Sequence, residues 1–187
     1  HKGPRAMEDL RQTLGDILGA FRPGRNRFLS RLLMGQRVEK ILFAATKADH
    51  LHHSQHSALT GIMQAMVRDA VDRAKFAGAQ TQAMSIASIR ATVEETLQHE
   101  GGPLDCVRGT LLTPEGTRGR MAAMYPGELP EDPARLLNPA RAGQDRWLDG
   151  EYGVMSFAPA VLRLKPGEGP PHIRLDRAAQ FLLGDRL

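Results

Sequence analysis

Four residues, Thr46-Lys47-Ala48-Asp49, directly follow five apolar ones, Ile41 to Ala45, and their types suit a flat ligand with a polar edge. A carboxylate presents two acceptor oxygens side by side. Guanine presents two donors, N1–H and the exocyclic N2–H2, on one edge. Adenine has no such donor pair, so a site built on Asp49 rejects it. Lys47 carries a long aliphatic stem that can lie over a purine face with its charge beyond. A second short segment, Ala87-Ser88, closes the next β-prone stretch. From there a backbone N–H can reach the base O6, a contact that needs no particular side chain.

Thr46-Lys47-Ala48-Asp49 resembles the Asn-Lys-x-Asp base-recognition motif of GTP-binding proteins, with Thr46 in place of Asn. Ala87-Ser88 resembles the Ser-Ala-type segment of the same proteins. The Asn of that motif ties the base loop to the phosphate loop. A threonine has the hydroxyl but no amide and makes only part of that network. The departure bears on base preference more than on nucleotide binding, and ATP remains the alternative ligand. The same tetrapeptide also suits a plain strand-to-helix turn with Asp49 capping the helix. Its position after a strongly apolar strand favours the site.

Other groups carry less chemistry. No Gly-x-x-x-x-Gly-Lys-Ser/Thr occurs, and no strand precedes β-prone residues 41–45 with an aspartate for Mg2+. These residues therefore supply base recognition and not hydrolysis. Asp49, His50, His52, His53 and His56 crowd together, with His52 and His56 spaced i, i+4. No glutamate completes a His-Glu-x-x-His pattern and spacing identifies no further ligand, so no metal is assigned. Cys106 reads as a packed small residue, without a His/Asp arrangement beside it. Arg22, Arg25, Arg27, Arg31 and Arg37 surround one corner. They read as a solvated face, with a phosphate- or lipid-binding patch as the other reading.

The elements that must position the site follow from periodicity. Ile41 to Ala45 has no polar face and predicts a strand buried on both sides, as in a parallel sheet. Leu59, Ile62, Met63, Met66, Val67, Ala70, Val71 and Ala74 predict one helix of about 22 residues by their 3.6-residue repeat. Ser54 or Ser57 suits its start and Gly78 its end. Gln82 to Ser88 predicts the next strand. Strand, helix, strand is a βαβ unit, which brings Thr46 to Asp49 and Ala87-Ser88 to one edge. Residues 5–21 predict a leading helix with Met7, Leu10, Leu14, Ile17, Leu18 and Phe21 on its stripe, and residues 27–35 a second, short one. From Thr92 the pattern turns β-rich: a hairpin of 92–98 with 104–112, a turn at Tyr125-Pro126-Gly127-Glu128, and a loop over 130–146. Strands follow at 152–157 and 161–164, then a linker over 165–171 and a helix over 176–184.

Composition sets the frame. The 187 residues are 41% hydrophobic and 25% charged, with a formal net charge of +4. That is ordinary globular material, long enough for one α/β core and a small appendage. The mild charge demands no nucleic acid, and none is expected as a partner. One cysteine excludes an internal disulfide and favours a reducing compartment. No apolar run approaches the ~18 residues that span a bilayer.

Three separated segments carry a family resemblance: Phe43 to His50 followed by Gln55-His56, Tyr125 to Pro130, and Pro171 to Asp176 continuing through Phe181 to Leu187. In this order they resemble the YcjX-like family of stress-associated P-loop NTPases, over its C-terminal portion. The resemblance implies an α/β fold: the second half of a GTPase-like three-layer domain with a parallel sheet, plus a small β-rich α+β appendage. The corresponding division is residues 1–91 for the nucleotide-binding part, 92–165 for the appendage, and 166–187 for linker and terminal helix. It implies GTP or GDP as ligand, with Mg2+ and the phosphates held by an upstream portion, just past whose Mg2+-site strand His1 to Pro4 fall. Slow GTP hydrolysis belongs to the full-length protein, with no activity expected of these residues alone. It also implies a bacterial cytoplasmic setting, peripheral at the inner membrane, with an inner-membrane protein as partner. An interaction module on a nucleotide-binding scaffold is the competing reading. Thr46, Lys47 and Asp49, and more loosely Ala87 and Ser88, match as base-contacting positions. No catalytic residue carries over.

Overall fold

The apolar run forms the predicted strand, β1, Lys40–Ala45. In the computed structural model, which describes residues 3–20, 38–144 and 156–186, it pairs in parallel with β2, Gln80–Ser85. Lys40 lies beside Gln80 and Ala45 beside Ser85. The short helix expected at 27–35, the five-arginine corner and residues 152–155 fall outside the described residues.

β2 starts and stops earlier than 82–88. Past Ser85 the chain leaves the ladder, because Ala87 pairs antiparallel with Ile173 from the C-terminal segment. β1 is also less enclosed than expected. Phe43 and Ala45 are buried, whereas Leu42 and Ala44 on the other face are half-buried. That second face is covered by the last helix, where Lys40 Nζ stands 5.8 Å from the Phe181 ring centroid and 2.6 Å from Asp185 Oδ1.

The crossover is two helices instead of one. The helix α1 at the start of the chain spans Gly3–Ala20; α2 spans His56–Met66 and α3 spans Arg68–Phe76. Val67 interrupts α2 and α3 with φ −101° and ψ 11°. Backbone bonds run through the break, from Val67 N–H to the Met63 carbonyl (3.1 Å) and from Val71 N–H to the Val67 carbonyl (2.9 Å). The apolar stripe therefore continues, and Ile62, Met66, Val67, Ala70 and Ala74 are all buried. Neither Ser54 nor Ser57 caps the start: Gln55 holds the cap position without a side-chain bond, and the Ser54 hydroxyl is drawn to Asp105. Gly78 ends α3 as predicted. Its φ of +88° suits glycine, and its N–H reaches the Lys75 carbonyl at 2.8 Å.

β3 (Thr92–His99), β4 (Gly102–Leu112) and β5 (Arg118–Met124) form an antiparallel sheet in that order. The hairpin over 92–112 matches expectation, and β5 extends the sheet by a third strand. Phe157 reaches this sheet through a single bridge to Leu111. Gly109 makes room for it: a Cβ there would meet the Phe157 ring at 2.7 Å. Val161 to Leu164 make no strand ladder among the described residues.

The proline-rich stretch 130–146 contains a helix, α4, Ala134–Arg141, despite Pro139 inside it. Asp132 Oδ1 accepts from the Ala134 N–H at 2.9 Å, which starts the turn. Burial of Leu136, Leu137 and Ala140 then outweighs the bond that Pro139 cannot donate. The core forms where β1, α2 and α4 meet, from Phe43, Ile62, Met66, Val67, Leu136 and Leu137, with Met7, Leu14 and Leu18 of α1 packed against it. Leu10 and Ile17 of the α1 stripe stay exposed. The last helix, α5, spans Leu175–Leu183, one residue from the expected bounds. The structure is thus mixed α/β, with a parallel pair and a separate antiparallel sheet.

Candidate functional site

β1 ends at Ala45, and Thr46 and Lys47 emerge exposed at its carboxyl edge. Lys47 adopts a left-handed conformation, φ 60° and ψ 35°, which reverses the chain. For a residue with a Cβ this costs about 1 kcal/mol or more. Among the described residues only Lys47 and Arg174 are non-glycine with positive φ, and both belong to this site. Ala48–His50 then form a single 3-10 turn.

That turn is stitched to the end of β2. Ile86 N–H donates to the Ala45 carbonyl at 2.8 Å, and Ala48 N–H donates to the Ile86 carbonyl at 3.0 Å. Thr46 to Asp49 and Ala87-Ser88 accordingly leave the sheet side by side. Ala87 is buried and its N–H is taken by the Ile173 carbonyl at 3.1 Å, while Ser88 is exposed. Asp49 is turned inward, only 4% exposed. Its Oδ2 accepts from the Ala91 N–H at 2.7 Å, and its carbonyl accepts from the Thr92 hydroxyl. The carboxylate keeps further acceptor capacity, since each oxygen has two lone pairs.

Beneath the turn lies a polar network that spacing did not disclose. His56 Nε2–H donates to the Ala48 carbonyl at 2.8 Å. The His56 carbonyl accepts from the Ser85 hydroxyl at 3.2 Å and from the Thr60 hydroxyl at 2.9 Å. Ser85, 0% exposed, donates its N–H to Thr60 Oγ1 at 3.1 Å. Arg174 Nη1 closes the set, donating to Ser85 Oγ at 2.6 Å and to the Ser85 carbonyl at 3.1 Å, with His56 Nδ1 3.5 Å away. Burial lowers the His56 pKa, and the Arg174 charge pushes the same way. His56 is a neutral structural imidazole, and the i, i+4 pair with His52 does not converge on one point. Burial raises the Cys106 thiol pKa in β4, which keeps it protonated.

A second clamp joins the site to the β-rich half. Gln55 Nε2 donates to the Gly127 carbonyl at 2.7 Å, and Leu129 N–H donates to Gln55 Oε1 at 2.8 Å. The segment Tyr125 to Glu128, expected as a turn, is irregular chain with Gly127 at φ +76°, and it is thereby held beside the loop that follows β1.

The profile of the YcjX-like family, DUF463, matches residues 1–187. The chain belongs to the YcjX-like family. It is 36% identical over 188 residues to "Ras-like GTPase YcjX" of Escherichia coli (strain K12), covering 100% of this chain and 37% of that protein. It is 31% identical over 189 residues to the protein of the same name from Shewanella oneidensis, covering 100% and 36%. The chain thus spans little more than a third of the curated relatives it matches. The three segments that carry the YcjX-like resemblance are far apart in sequence, yet all three meet here: Gln55-His56 behind the turn, Gly127 to Leu129 on Gln55, and Arg174 on Ser85 and His56.

Proposed function

We propose that these residues form the base-recognition edge of a guanine-nucleotide site in a longer P-loop NTPase. The observation that supports this most is the Ala48–Ile86 backbone bond, which fixes the Thr46–Asp49 turn against the loop after β2 at the carboxyl edge of a parallel pair. The relatives' name, Ras-like GTPase, adds support from outside the geometry. In this reading Asp49 accepts the guanine N1–H and N2–H2, Lys47 lies over the base, Thr46 borders the pocket, and the Ala87-Ser88 turn faces O6. Because Ile173 occupies the Ala87 amide, the donor to O6 is the exposed Ser88 N–H. Because Asp49 already holds Ala91, base binding shares that carboxylate or displaces the 90–92 segment.

No Gly-x-x-x-x-Gly-Lys-Ser/Thr phosphate loop occurs in the sequence. Slow hydrolysis, Mg2+ and the chemistry of the γ-phosphate are proposed for the rest of the full-length protein. We place residues 1–91 in its nucleotide domain, 92–165 in an appendage and 166–187 in a closing tail. A cytoplasmic, stress-associated role with an inner-membrane partner completes the reading; no described helix is long and apolar enough to cross a membrane.

The test is binding of fluorescent GDP and ADP to the full-length protein and its Asp49→Ala variant. Loss of a buried polar partner costs about 2 kcal/mol, roughly 30-fold in GDP affinity. ADP binding is expected to be weak in both proteins. Equal binding of the two nucleotides, unchanged by the substitution, would sink the proposal.

A further inference from the structure

His52 and His53 sit between the Ala48–His50 turn and α2, and β3 brings Glu94 against them from 41 residues away. One ring nitrogen of each histidine and one Glu94 oxygen lie within 4.8 Å of one another. His53 Nδ1 stands 2.7 Å from Glu94 Oε2, and His52 Nε2 stands 3.9 Å from the same oxygen. Around a zinc ion with ligands at about 2.0–2.1 Å, tetrahedral ligand atoms are roughly 3.3 Å apart. The two separations to Glu94 bracket that value, and the two histidine nitrogens lie within 4.8 Å of each other.

The surrounding groups are oriented for the same purpose. His52 Nδ1 is 3.1 Å from Asp105 Oδ2 on β4 and 2.9 Å from Ser54 Oγ. The Ser54 hydroxyl in turn donates to Asp105 Oδ2 at 3.1 Å. Nδ1 also lies 3.5 Å from the Ser54 N–H, so it is engaged by Ser54 and Asp105, and Nε2 is the ring nitrogen turned toward Glu94. The other Glu94 oxygen, Oε1, accepts from Arg90 Nη2 at 3.3 Å, which fixes the carboxylate. Carboxylate behind histidine, and a hydrogen bond behind the ligating carboxylate, is the support that metal sites use.

We propose that His52 Nε2, His53 Nδ1 and Glu94 Oε2 form a site for a divalent transition-metal ion of the Zn2+ class, with water in the fourth position. Two imidazoles select such an ion over Mg2+ or Ca2+. On binding, the ion replaces the contact that His53 Nδ1 now makes to Glu94 Oε2. The ion clamps the loop carrying Asp49 to the β3–β4 hairpin, and this assignment does not depend on which nucleotide binds.

The experiment is Co2+ titration of chelator-stripped full-length protein without nucleotide, followed by Zn2+ displacement. One equivalent of Co2+ is expected to give the visible d–d band of a four-coordinate ion, and Zn2+ abolishes it. His53→Ala, at an exposed position, and Glu94→Gln are expected to remove the band while far-ultraviolet circular dichroism is unchanged. Asp105→Asn weakens binding about 10- to 100-fold, and His99→Ala changes nothing. A wild-type spectrum without that band overturns the assignment. So does a band that survives both ligand substitutions.

Discussion

Arg174→Ala tests whether the C-terminal segment holds the candidate base loop. The guanidinium donates to Ser85 Oγ at 2.6 Å and to the Ser85 carbonyl at 3.1 Å, and Ser85 is 0% exposed. Hydrogen bonds from a charged donor contribute about 1.5–3 kcal/mol each, and a stranded buried acceptor costs a similar amount. Arg174 is itself half-buried and gains side-chain freedom when released, which lowers the net effect. A loss of about 2–3 kcal/mol of local stability follows, or roughly 30- to 150-fold in the opening equilibrium. Amide hydrogen exchange on the full-length protein reads that equilibrium directly, in peptides covering residues 46–51 and 85–88. Arg174→Lys keeps the charge but not the fork, so its exchange is expected to fall between the two. Ser85→Ala removes the partner, and the double variant is expected to be less than additive by about 1 kcal/mol. Acceleration below about threefold, or strict additivity with Ser85→Ala, would refute the coupling.

Two further outcomes follow from the same packing. Burial depresses the His56 pKa below its unfolded value of about 6.5, so the folded state binds fewer protons than the unfolded one. The stability that neutral His56 contributes is fully present above about pH 6.5 and is lost as pH falls through the folded value. Denaturant midpoints at about pH 7.5 and 5.5 should therefore diverge more for wild type than for His56→Gln; equal divergence contradicts the assignment. Leu137→Ala empties a core position in α4 and is expected to cost about 2–5 kcal/mol in urea unfolding. A cost under about 0.5 kcal/mol would mean that α4 does not pack on the core.

Periodicity made the βαβ frame legible, because burial of one helix stripe and one apolar strand repeats along the chain. It could not disclose the break at Val67, since the stripe runs through it unchanged. Nor could it disclose α4, where Pro133 and Pro139 mimic a loop and only packing of Leu136 and Leu137 reveals the helix. The motif residues Thr46, Lys47 and Asp49 stood out because their types suit a ligand edge. The residues that hold them did not, since their partners are remote: Ala91 for Asp49, Ser85 and Arg174 for His56, Gly127 for Gln55. Glu94 was invisible as a companion of His52 and His53 for the same reason.

That pattern bears on what the shared segments are for. Gln55, His56 and Arg174 lie in the stretches that mark the chain as YcjX-like, yet none of them points outward to a ligand. Gln55 spends both ends of its amide on the backbone at Gly127 and Leu129, and His56 bonds the carbonyl of Ala48, one residue before Asp49. Arg174 accepts a left-handed backbone to reach Ser85. A surface turn that only connected β1 to α2 would need none of these bonds, because water would satisfy its carbonyls. Instead His56 bonds the turn directly, while Gln55 and Arg174 tie the chain beside it to two distant segments. Such preorganisation is useful where a loop must meet a rigid ligand without an ordering cost on binding. This convergence supports the proposed binding edge without appeal to the tetrapeptide itself.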